Sequence, residues 1–260
     1  MRLRKQYLTE NDCYRAGRTI RPQGIMVHST GANNPSVDRY VPGDDVIGRN
    51  QYGNDWDRPG VEKCAHAFVG RFADGSVGTV QTLPWNRRGW HCGRGKNGSA
   101  NDTHISFEIC EDGLEDASYF KAVYQEAVEL TASLCKEYNL DPLADGVVIC
   151  HQEGYRRGIA SNHGDVLHWF PKFGKTMDNF RADVARWMEG EDEMTQEQFD
   201  TMMENWLARR NNQPASDWAK PYIQEAIDAG VMTDVGGTIE RPQGFVTRQE
   251  LATVAAAIKR

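Results

Sequence analysis

Histidines at the ends of two short apolar runs have the side chains and setting for a catalytic zinc site. His28 and His151 each end a β-type run, where a sheet edge holds an imidazole rigidly beside a loop that opens to solvent. A later polar stretch adds His163 and Asp165. Catalytic zinc needs three protein ligands and one open position for water, so two histidines and Asp165 are a sufficient set.

Length and composition limit the classes of protein to consider. A chain of 260 residues fits one catalytic domain and a smaller segment. With 39% hydrophobic and 26% charged residues it reads as globular, and the absence of an apolar stretch of about eighteen residues argues against membrane insertion. A formal net charge of −7 argues against a nucleic-acid partner. No apolar segment follows the basic residues at 2–5, so we expect no secretory signal and a cytoplasmic location.

The six cysteines are expected to be reduced. They form neither a CxxC pair nor a dense framework, which is typical of cytosolic thiols rather than of disulfides. Cys64, Cys110 and Cys150 lie in or beside strand-like runs, so we expect them in the core.

A change in charge marks a domain boundary. Residues 191–260 carry twelve acidic and seven basic side chains, a net charge of −5. The polar run Glu189–Glu193 cannot be buried, which is typical of a linker. The sequence therefore predicts a catalytic domain at 1–190 and a smaller domain at 191–260.

Hydrophobic periodicity predicts an α/β fold, with a mixed central sheet of about five strands flanked by helices and a small all-α C-terminal domain. Asp74 and Gly75 form the turn of a hairpin. Thr247 and Glu250 form a helix capping box. Strands are expected at residues 23–29, 64–72, 76–81, 104–110 and 146–150, and helices at residues 117–138, 177–188, 194–210 and 217–230.

Four stretches carry candidate chemistry, and each is weak evidence alone. A histidine at a strand end is more often structural, and Glu108 could face solvent by simple strand alternation. Trp90 and His91 lie in a tight loop between two glycines. The stretches are Val27–Gly31, Gly89–Gly93, Ile105–Ile109 and Cys150–Asp165.

The order of these stretches, over residues 20–185, resembles the zinc-dependent type 2 N-acetylmuramoyl-L-alanine amidases, whose fold is shared with peptidoglycan-recognition proteins. The resemblance implies a zinc hydrolase that acts on bacterial peptidoglycan. It would cut the amide between the lactyl group of N-acetylmuramic acid and the first L-alanine of the stem peptide. The stretches that carry the resemblance are Met26–Gly31, Ala65–Val69 with Asp74–Gly75, Gly89–Gly93, Ser106–Ile109 and His151–Asp165.

The resemblance also implies a ligand set. His28 and His151 become zinc ligands, and Asp165 takes the place of the family's third ligand, a Cys or Asp. The fourteen residues from His151 to Asp165 exceed the usual interval, so residues 155–160 are expected to loop out. His163 stands where the family often has a lysine that stabilises the oxyanion, a role that an imidazole can fill. Alternatively, His163 is the third ligand and Asp165 orients it.

Glu108 is implied as the general base, which takes a proton from the attacking water and delivers it to the leaving amine. Some relatives have a tyrosine just before the position of His66, where this chain has Ala65. Catalysis is therefore expected to depend on Glu108 rather than on a phenol.

The remaining candidates concern the substrate groove. Ser29 and Thr30, which follow the first ligand, and His91 are expected to contact substrate. Trp90 either stacks on a sugar face or plugs the core. His66 is expected to be a packed or hydrogen-bonded residue. His104 and His168 are not expected to be ligands.

The C-terminal segment resembles the S-layer homology module, which binds secondary polymers of the cell wall. The resemblance rests on Trp218–Met232 and Thr247–Ala252, and only about one copy is present. The alternative is a helix bundle that serves interaction or dimerisation.

Together the two resemblances suggest a bacteriophage endolysin, which reaches the wall through membrane holes formed by a holin. The alternatives are a host autolysin or wall-recycling amidase, and a non-catalytic peptidoglycan-binding receptor. A receptor would keep the groove but lack a metal ligand, and the presence of His28, His151, Asp165 and Glu108 argues against it.

Overall fold

The computed structural model describes residues 1–190, 196–232, 242–245, 251–252 and 254–256. The chain divides into two compact units, Met1–Asp192 and Glu193–Arg260. None of the helices in these described ranges combines the length and the apolar character needed to cross a bilayer.

The first unit is an α/β structure built on a six-stranded sheet. The strands of this sheet are β1 Leu3–Lys5, β2 Gly24–Ser29, β5 Ala67–Arg71, β6 Val77–Gln81, β7 His104–Ile109 and β8 Val148–Cys150. Two further strands, β3 Gly43–Asp44 and β4 Gly48–Arg49, form a separate two-stranded sheet. Before residue 232, the α-helices of the described part of the chain are α1 Asp12–Arg15, α2 Ala117–Tyr138, α3 His151–Arg156, α4 Met177–Glu189, α5 Gln196–Asn211 and α6 Lys220–Asp228.

The main sheet has the strand order β1-β6-β5-β7-β2-β8. Only β5 and β6 pair antiparallel, as the predicted hairpin, while the other neighbours are parallel. The five expected strands are all present. The sixth, β1, was missed because Leu3–Lys5 is short and largely basic, and pairing with β6 at an edge leaves it only partly buried.

Helix α2 covers one face of the sheet. The Asp116 carboxylate caps its first turn by accepting from the backbone N–H of Ser118 and Tyr119, and Asn139 ends it in the left-handed conformation. Its apolar stripe and α4 pack on alternate residues of the central strands, such as Val27 of β2. Five cysteines, including the three expected in the core, are buried.

Loops rather than long helices cover the opposite face. One small cluster there includes Tyr40 and Phe68, and another includes Met26 and Ile149. Because β2, β7 and β8 are parallel, their carboxyl ends lie at one edge of the sheet. Side chains at the ends of these strands are thus brought together on the face without α2.

The described part of the second unit is helical, as expected. Trp206 of α5 lies near Phe245, with ring centroids 6.1 Å apart, and the Arg210 guanidinium lies over both rings. The side chains of Trp218 and Tyr222 are 76% and 68% exposed. The capping box predicted at residues 247 and 250 lies outside the described residues.

Candidate metal centre and active site

His28, His151 and Asp165 converge at the edge where β2 and β8 end. The Asp165 Oδ2 atom lies 3.0 Å from Nδ1 of His28 and 3.0 Å from Nδ1 of His151. The two Nδ1 atoms are 3.2 Å apart. All three residues are buried or nearly so. Three donors from distant parts of the chain therefore face a single point.

The fold fixes His151 at the first position of α3. The Glu153 carboxylate accepts from the backbone N–H of Cys150 at 3.0 Å, which closes the first turn of the helix. Arg181 of α4 donates to both oxygens of Glu153 at 3.1 Å. This paired contact anchors the turn that presents His151.

Asp165 reaches the site by a route that differs from the expected loop. Residues 155 and 156 continue α3, and only the stretch after them turns back. There the Ser161 N–H donates to the Cys92 carbonyl at 2.9 Å, and the Ala100 N–H donates to the Ile159 carbonyl at 2.8 Å. Asp165 itself has a φ of 43°, a left-handed conformation that is costly for a residue other than glycine. Strain of this kind at a ligand position is consistent with a functional constraint.

Electrostatics favour a charged Asp165 beside a neutral His28. Burial alone would raise the pKa of the Asp165 carboxyl, but hydrogen bonds from His151 and His28 outweigh it and hold that pKa well below its usual range. Burial lowers the pKa of His28. Neutral imidazole and ionised carboxylate are the protonation states that bind a metal.

The donor set fits zinc. Ligand atoms about 2.0–2.1 Å from a tetrahedral ion lie about 3.3 Å from each other, close to the 3.0–3.2 Å separations here. Without a cation, Nδ1 of His28 can carry only one proton, and that proton would have to be shared between Asp165 and Nδ1 of His151. A divalent ion would satisfy all three donors at once.

Glu108 lies directly beside His28, because the two residues are paired in register on the parallel strands β7 and β2. Burial of its carboxyl raises the Glu108 pKa well above the usual value, and the charges of Asp165 and Glu111 add to the effect. Its Oε2 atom is buried with no hydrogen-bond partner in the part of the chain that the structure describes. A carboxyl in this state can accept a proton near neutral pH.

One cavity of about 410 Å³ opens onto these groups. It brings together every site residue predicted from the sequence, although their roles stay predictions. The nine that line it are His28, Ser29, Thr30, Trp90, His91, Glu108, His151, His163 and Asp165.

The surroundings of Trp90 and His163 decide between the alternatives that the sequence left open for the role of Trp90 and for the third metal ligand. The Trp90 side chain is 40% exposed, so the core-plug interpretation is wrong, while stacking on a sugar stays a prediction. His163 is exposed, and its ring centroid lies 4.8 Å from that of His151. It is not part of the converging set of donors, which contains Asp165. The geometry therefore favours Asp165 as third ligand.

His91 has a contact that the sequence did not indicate, because its Nδ1 lies 2.9 Å from Nε2 of His28. Ser161 makes the equivalent contact with the other histidine, since its Oγ lies 3.2 Å from Nε2 of His151. The first contact joins residues far apart in the chain and the second spans ten residues, and the sequence analysis predicted neither.

Sequence reasoning also missed one wall of the cavity, formed by Tyr40, Trp56 and Lys63. Burial raises the pKa of the Tyr40 phenol, which therefore remains a hydrogen-bond donor. A phenol is thus present at the site, although it comes from a different segment than the tyrosine of some relatives. Only the tertiary fold brings residues 40–63 to the strand ends.

The other three histidines have partners outside the donor set. His66 accepts from the Ser106 N–H at 3.0 Å and donates to the Arg87 carbonyl at 2.6 Å, and burial lowers its pKa to about 4. His104 Nε2 lies 3.0 Å from the Gly146 carbonyl. His168 lies against Glu111. The expectation that His66 is a buried, hydrogen-bonded residue agrees with this geometry.

Comparison with known proteins finds matches to two family models, one in each part of the chain. A family model described as N-acetylmuramoyl-L-alanine amidase matches residues 18–166, and one described as S-layer homology domain matches residues 213–252. The amidase CwlH of Bacillus subtilis (strain 168) is 30% identical over 138 residues, which are 53% of this chain and 48% of CwlH. The amidase CwlA of a Bacillus species is 39% identical over 74 residues, 28% of each chain. The chain therefore spans about half the length of these relatives or less.

Solved structures share the fold. The Staphylococcus aureus hydrolase AmiA, solved in complex with its ligand, aligns with a TM-score of 0.52 at 18% identity, over 72% of this chain and 83% of AmiA. The catalytic domain of XlyA aligns with a TM-score of 0.50 at 24% identity, over 71% of this chain and 99% of that domain. Because the family model covers more than half of the 260 residues, the chain belongs to the N-acetylmuramoyl-L-alanine amidase family.

Proposed function

We propose that the first unit is a zinc-dependent N-acetylmuramoyl-L-alanine amidase, which hydrolyses the amide between N-acetylmuramic acid and L-alanine in bacterial peptidoglycan. The observation that carries the proposal is the convergence of His28, His151 and Asp165 on one point of an open cavity, with Glu108 in register beside them. Membership of the amidase family supports the choice of substrate.

His28 and His151 would hold the ion through Nδ1, and Asp165 through Oδ2. Zinc bound there would act as a Lewis acid that polarises the scissile carbonyl and makes water more acidic. A Zn²⁺ ion held by two neutral imidazoles and one carboxylate would keep a net positive charge, which would favour the developing oxyanion.

Glu108 moves the proton. Its raised pKa lets the carboxylate take a proton from the attacking water and then give it to the nitrogen of the departing L-alanine. The unpartnered Oε2 leaves an acceptor free for this exchange. Because Glu108 and His28 are neighbours across two paired strands, the sheet fixes the base relative to the ligand set.

Hydrogen-bond donors at the cavity wall would stabilise and orient the substrate. His163 stands at the rim, where an imidazole can donate to the oxyanion. The Tyr40 phenol also lines the cavity and is a second donor. The exposed face of Trp90 suits stacking on a sugar ring, and Ser29 and Thr30 line the floor beside the ligand.

The second unit is proposed to bind a secondary polymer of the cell wall. The support is the match of residues 213–252 to the S-layer homology domain and the exposure of Trp218, just before α6, and of Tyr222 in its first turn. Exposed aromatic rings of this kind can pack on polymer sugars. The domains would then be a catalytic domain at 1–190 and a wall-binding module at 191–260.

A bacteriophage endolysin is the biological role that we propose, with a host autolysin or a recycling amidase as the alternative. The pairing of an amidase with a wall-binding module favours attack on intact wall, because recycling of soluble fragments needs no such module. Cytoplasmic expression in a Gram-positive host separates these roles. An endolysin should lyse the cells only once the membrane is permeabilised.

The activity is tested by digesting purified wall with the full chain, with and without a chelator, and identifying the newly cut bond by mass spectrometry. The expected products are stem peptides with a free L-alanine amino group and glycan strands with free lactyl carboxyl groups, and chelation should abolish both. Cleavage of a glycosidic or cross-bridge bond would overturn the proposal.

A further inference from the structure

The loop Gly89–Gly93, here called the support loop, lies behind one of the two candidate zinc-binding histidines. His28 directs Nδ1 at Asp165 and Nε2 at His91, whose Nδ1 is 2.9 Å away. The two rings meet edge to face, with centroids 5.1 Å apart. The contact is therefore a directed nitrogen-to-nitrogen hydrogen bond and not ring stacking.

A bound cation would determine where the protons of this contact lie. A cation needs the lone pair of Nδ1 of His28, so the His28 proton must be on Nε2. With the His28 proton on Nε2, Nδ1 of His91 accepts the hydrogen bond, and His91 carries its own proton on Nε2, a buried atom that has no hydrogen-bond partner among the described residues. An acceptor at this place thus selects the tautomer of His28 that can bind a metal.

The support loop reaches the second histidine through a serine. His151 directs Nδ1 at Asp165 and Nε2 at Ser161, whose Oγ is 3.2 Å away. The Ser161 hydroxyl in turn donates to the Cys92 carbonyl at 3.1 Å. A hydroxyl that donates to a carbonyl presents its lone pairs to the imidazole N–H, which again leaves Nδ1 of His151 unprotonated.

Contacts within the protein hold the support loop in place. The buried Asn101 side chain accepts from the backbone N–H of His91 at 2.8 Å and of Cys92 at 3.2 Å, and it donates to the Gly93 carbonyl at 2.9 Å. Gly93 has a φ of 65°, and a Cβ there would lie 3.0 Å from Oγ of Ser161. The loop is thus shaped to approach Ser161 and is rigid enough to orient both rings.

We propose that the support loop, through His91 and Ser161, positions both histidines of the zinc site in their metal-binding tautomers. His91 is then a positioning residue for the metal, in addition to any contact it makes with substrate. The inference rests on the proposed function, because it assumes that a metal binds at this centre. Hydrogen-bond partners behind metal-bound imidazoles raise metal affinity by about 10- to 100-fold in other proteins.

The test measures the zinc Kd of the full chain by competition with a chromophoric chelator. His91→Phe removes the acceptor, and its Kd should be about 10- to 100-fold weaker than that of the wild type. His91→Asn keeps an acceptor, the amide oxygen, close to the position of Nδ1, and it should stay within a few-fold of the wild type. Ser161→Ala should weaken zinc binding by about tenfold. The control His104→Asn removes a buried histidine outside the site and should leave the Kd unchanged.

The outcomes separate this inference from the proposed function. Failure of the wild type to bind zinc would overturn the proposed function. A wild type that binds zinc, together with an unchanged Kd in His91→Phe, would overturn the positioning role alone. If circular dichroism shows that His91→Phe does not fold, His91→Gln replaces it, because its amide extends past the position of Nδ1. Equal Kd values for the Asn and Gln variants would then reject the role.

Discussion

Zinc should stabilise the first unit against heat, and Asp165→Asn should remove most of that effect. The three donors come from the end of β2, the start of α3 and the turn at Asp165, so one ion would link three segments that separate on unfolding. A ligand that binds only the folded state stabilises it by mass action. Asparagine keeps the shape of the side chain but loses its charge.

The size of the effect follows from the affinity and from the length of the unit. Free zinc at 1,000 times its Kd contributes about 4 kcal/mol. For a unit of this size, 1 kcal/mol shifts the Tm by about 2–4 °C, so zinc should raise the Tm by about 8–16 °C. If Asp165→Asn weakens binding by about 100-fold, the same zinc concentration contributes about 1.4 kcal/mol and about 3–6 °C.

The metal-free variant should also be less stable than the metal-free wild type. Without the ion, an Nδ1–H group of His28 or His151 can donate to the charged Asp165 carboxylate at 3.0 Å, and a hydrogen bond to a charged group contributes about 1.5–3 kcal/mol. Differential scanning calorimetry of the full chain, with zinc and with chelator, measures both effects. Asp102→Asn, an exposed carboxylate outside the site, is the control and should respond to zinc as the wild type does. An equal Tm with zinc and with chelator in the wild type would show that no zinc ion links these three segments.

Four further predictions concern the residues around the cavity and the second unit. Glu108→Gln should keep zinc and lower kcat by about 10²- to 10⁴-fold, and wild-type kcat on a soluble muropeptide would remove Glu108 from the mechanism. Burial raises the Glu108 pKa in the folded state, so the wild type loses stability as the pH rises and the unfolded chain ionises more readily. Metal-free Glu108→Gln should therefore match the wild type in Tm below about pH 4.5 and exceed it at higher pH. A difference in Tm that does not change with pH would contradict this. His163→Ala should retain zinc by elemental analysis but lose about 10²- to 10³-fold in rate, whereas loss of zinc would make it a ligand. The double variant Trp218→Ala/Tyr222→Ala should bind whole wall less well than the wild type in a sedimentation assay, with muropeptide hydrolysis unchanged; equal binding would reject wall recognition through these rings.

Much of the fold could be predicted because local signals and tertiary packing agree. The apolar residues of Ala117–Tyr138 recur at helical spacing between an Asp cap and a left-handed Asn, and the structure has α2 at those bounds. The buried strands β2 and β7 have nearly continuous apolar runs, as strands covered on both faces do. Strand β1 has no such signal, because its pairing depends on β6, more than seventy residues away.

The candidate site could be predicted only in part, for a similar reason. His28 and Glu108 end or lie within apolar runs, and the register of two parallel strands then places them side by side. Asp165 depends on the path of residues 157–164, which is set by backbone contacts to residues 92–100 that have no sequence pattern. The contact of His91 with His28, and the wall that includes Tyr40, likewise exist only in three dimensions.

The most direct test of the zinc centre is anomalous diffraction at the zinc absorption edge from crystals of the zinc-loaded full chain. We expect one strong anomalous peak in the first unit, within about 2.0–2.2 Å of Nδ1 of His28, Nδ1 of His151 and an Asp165 carboxylate oxygen. A peak at other residues, or ordered crystals of active protein with no peak between these three, would contradict it.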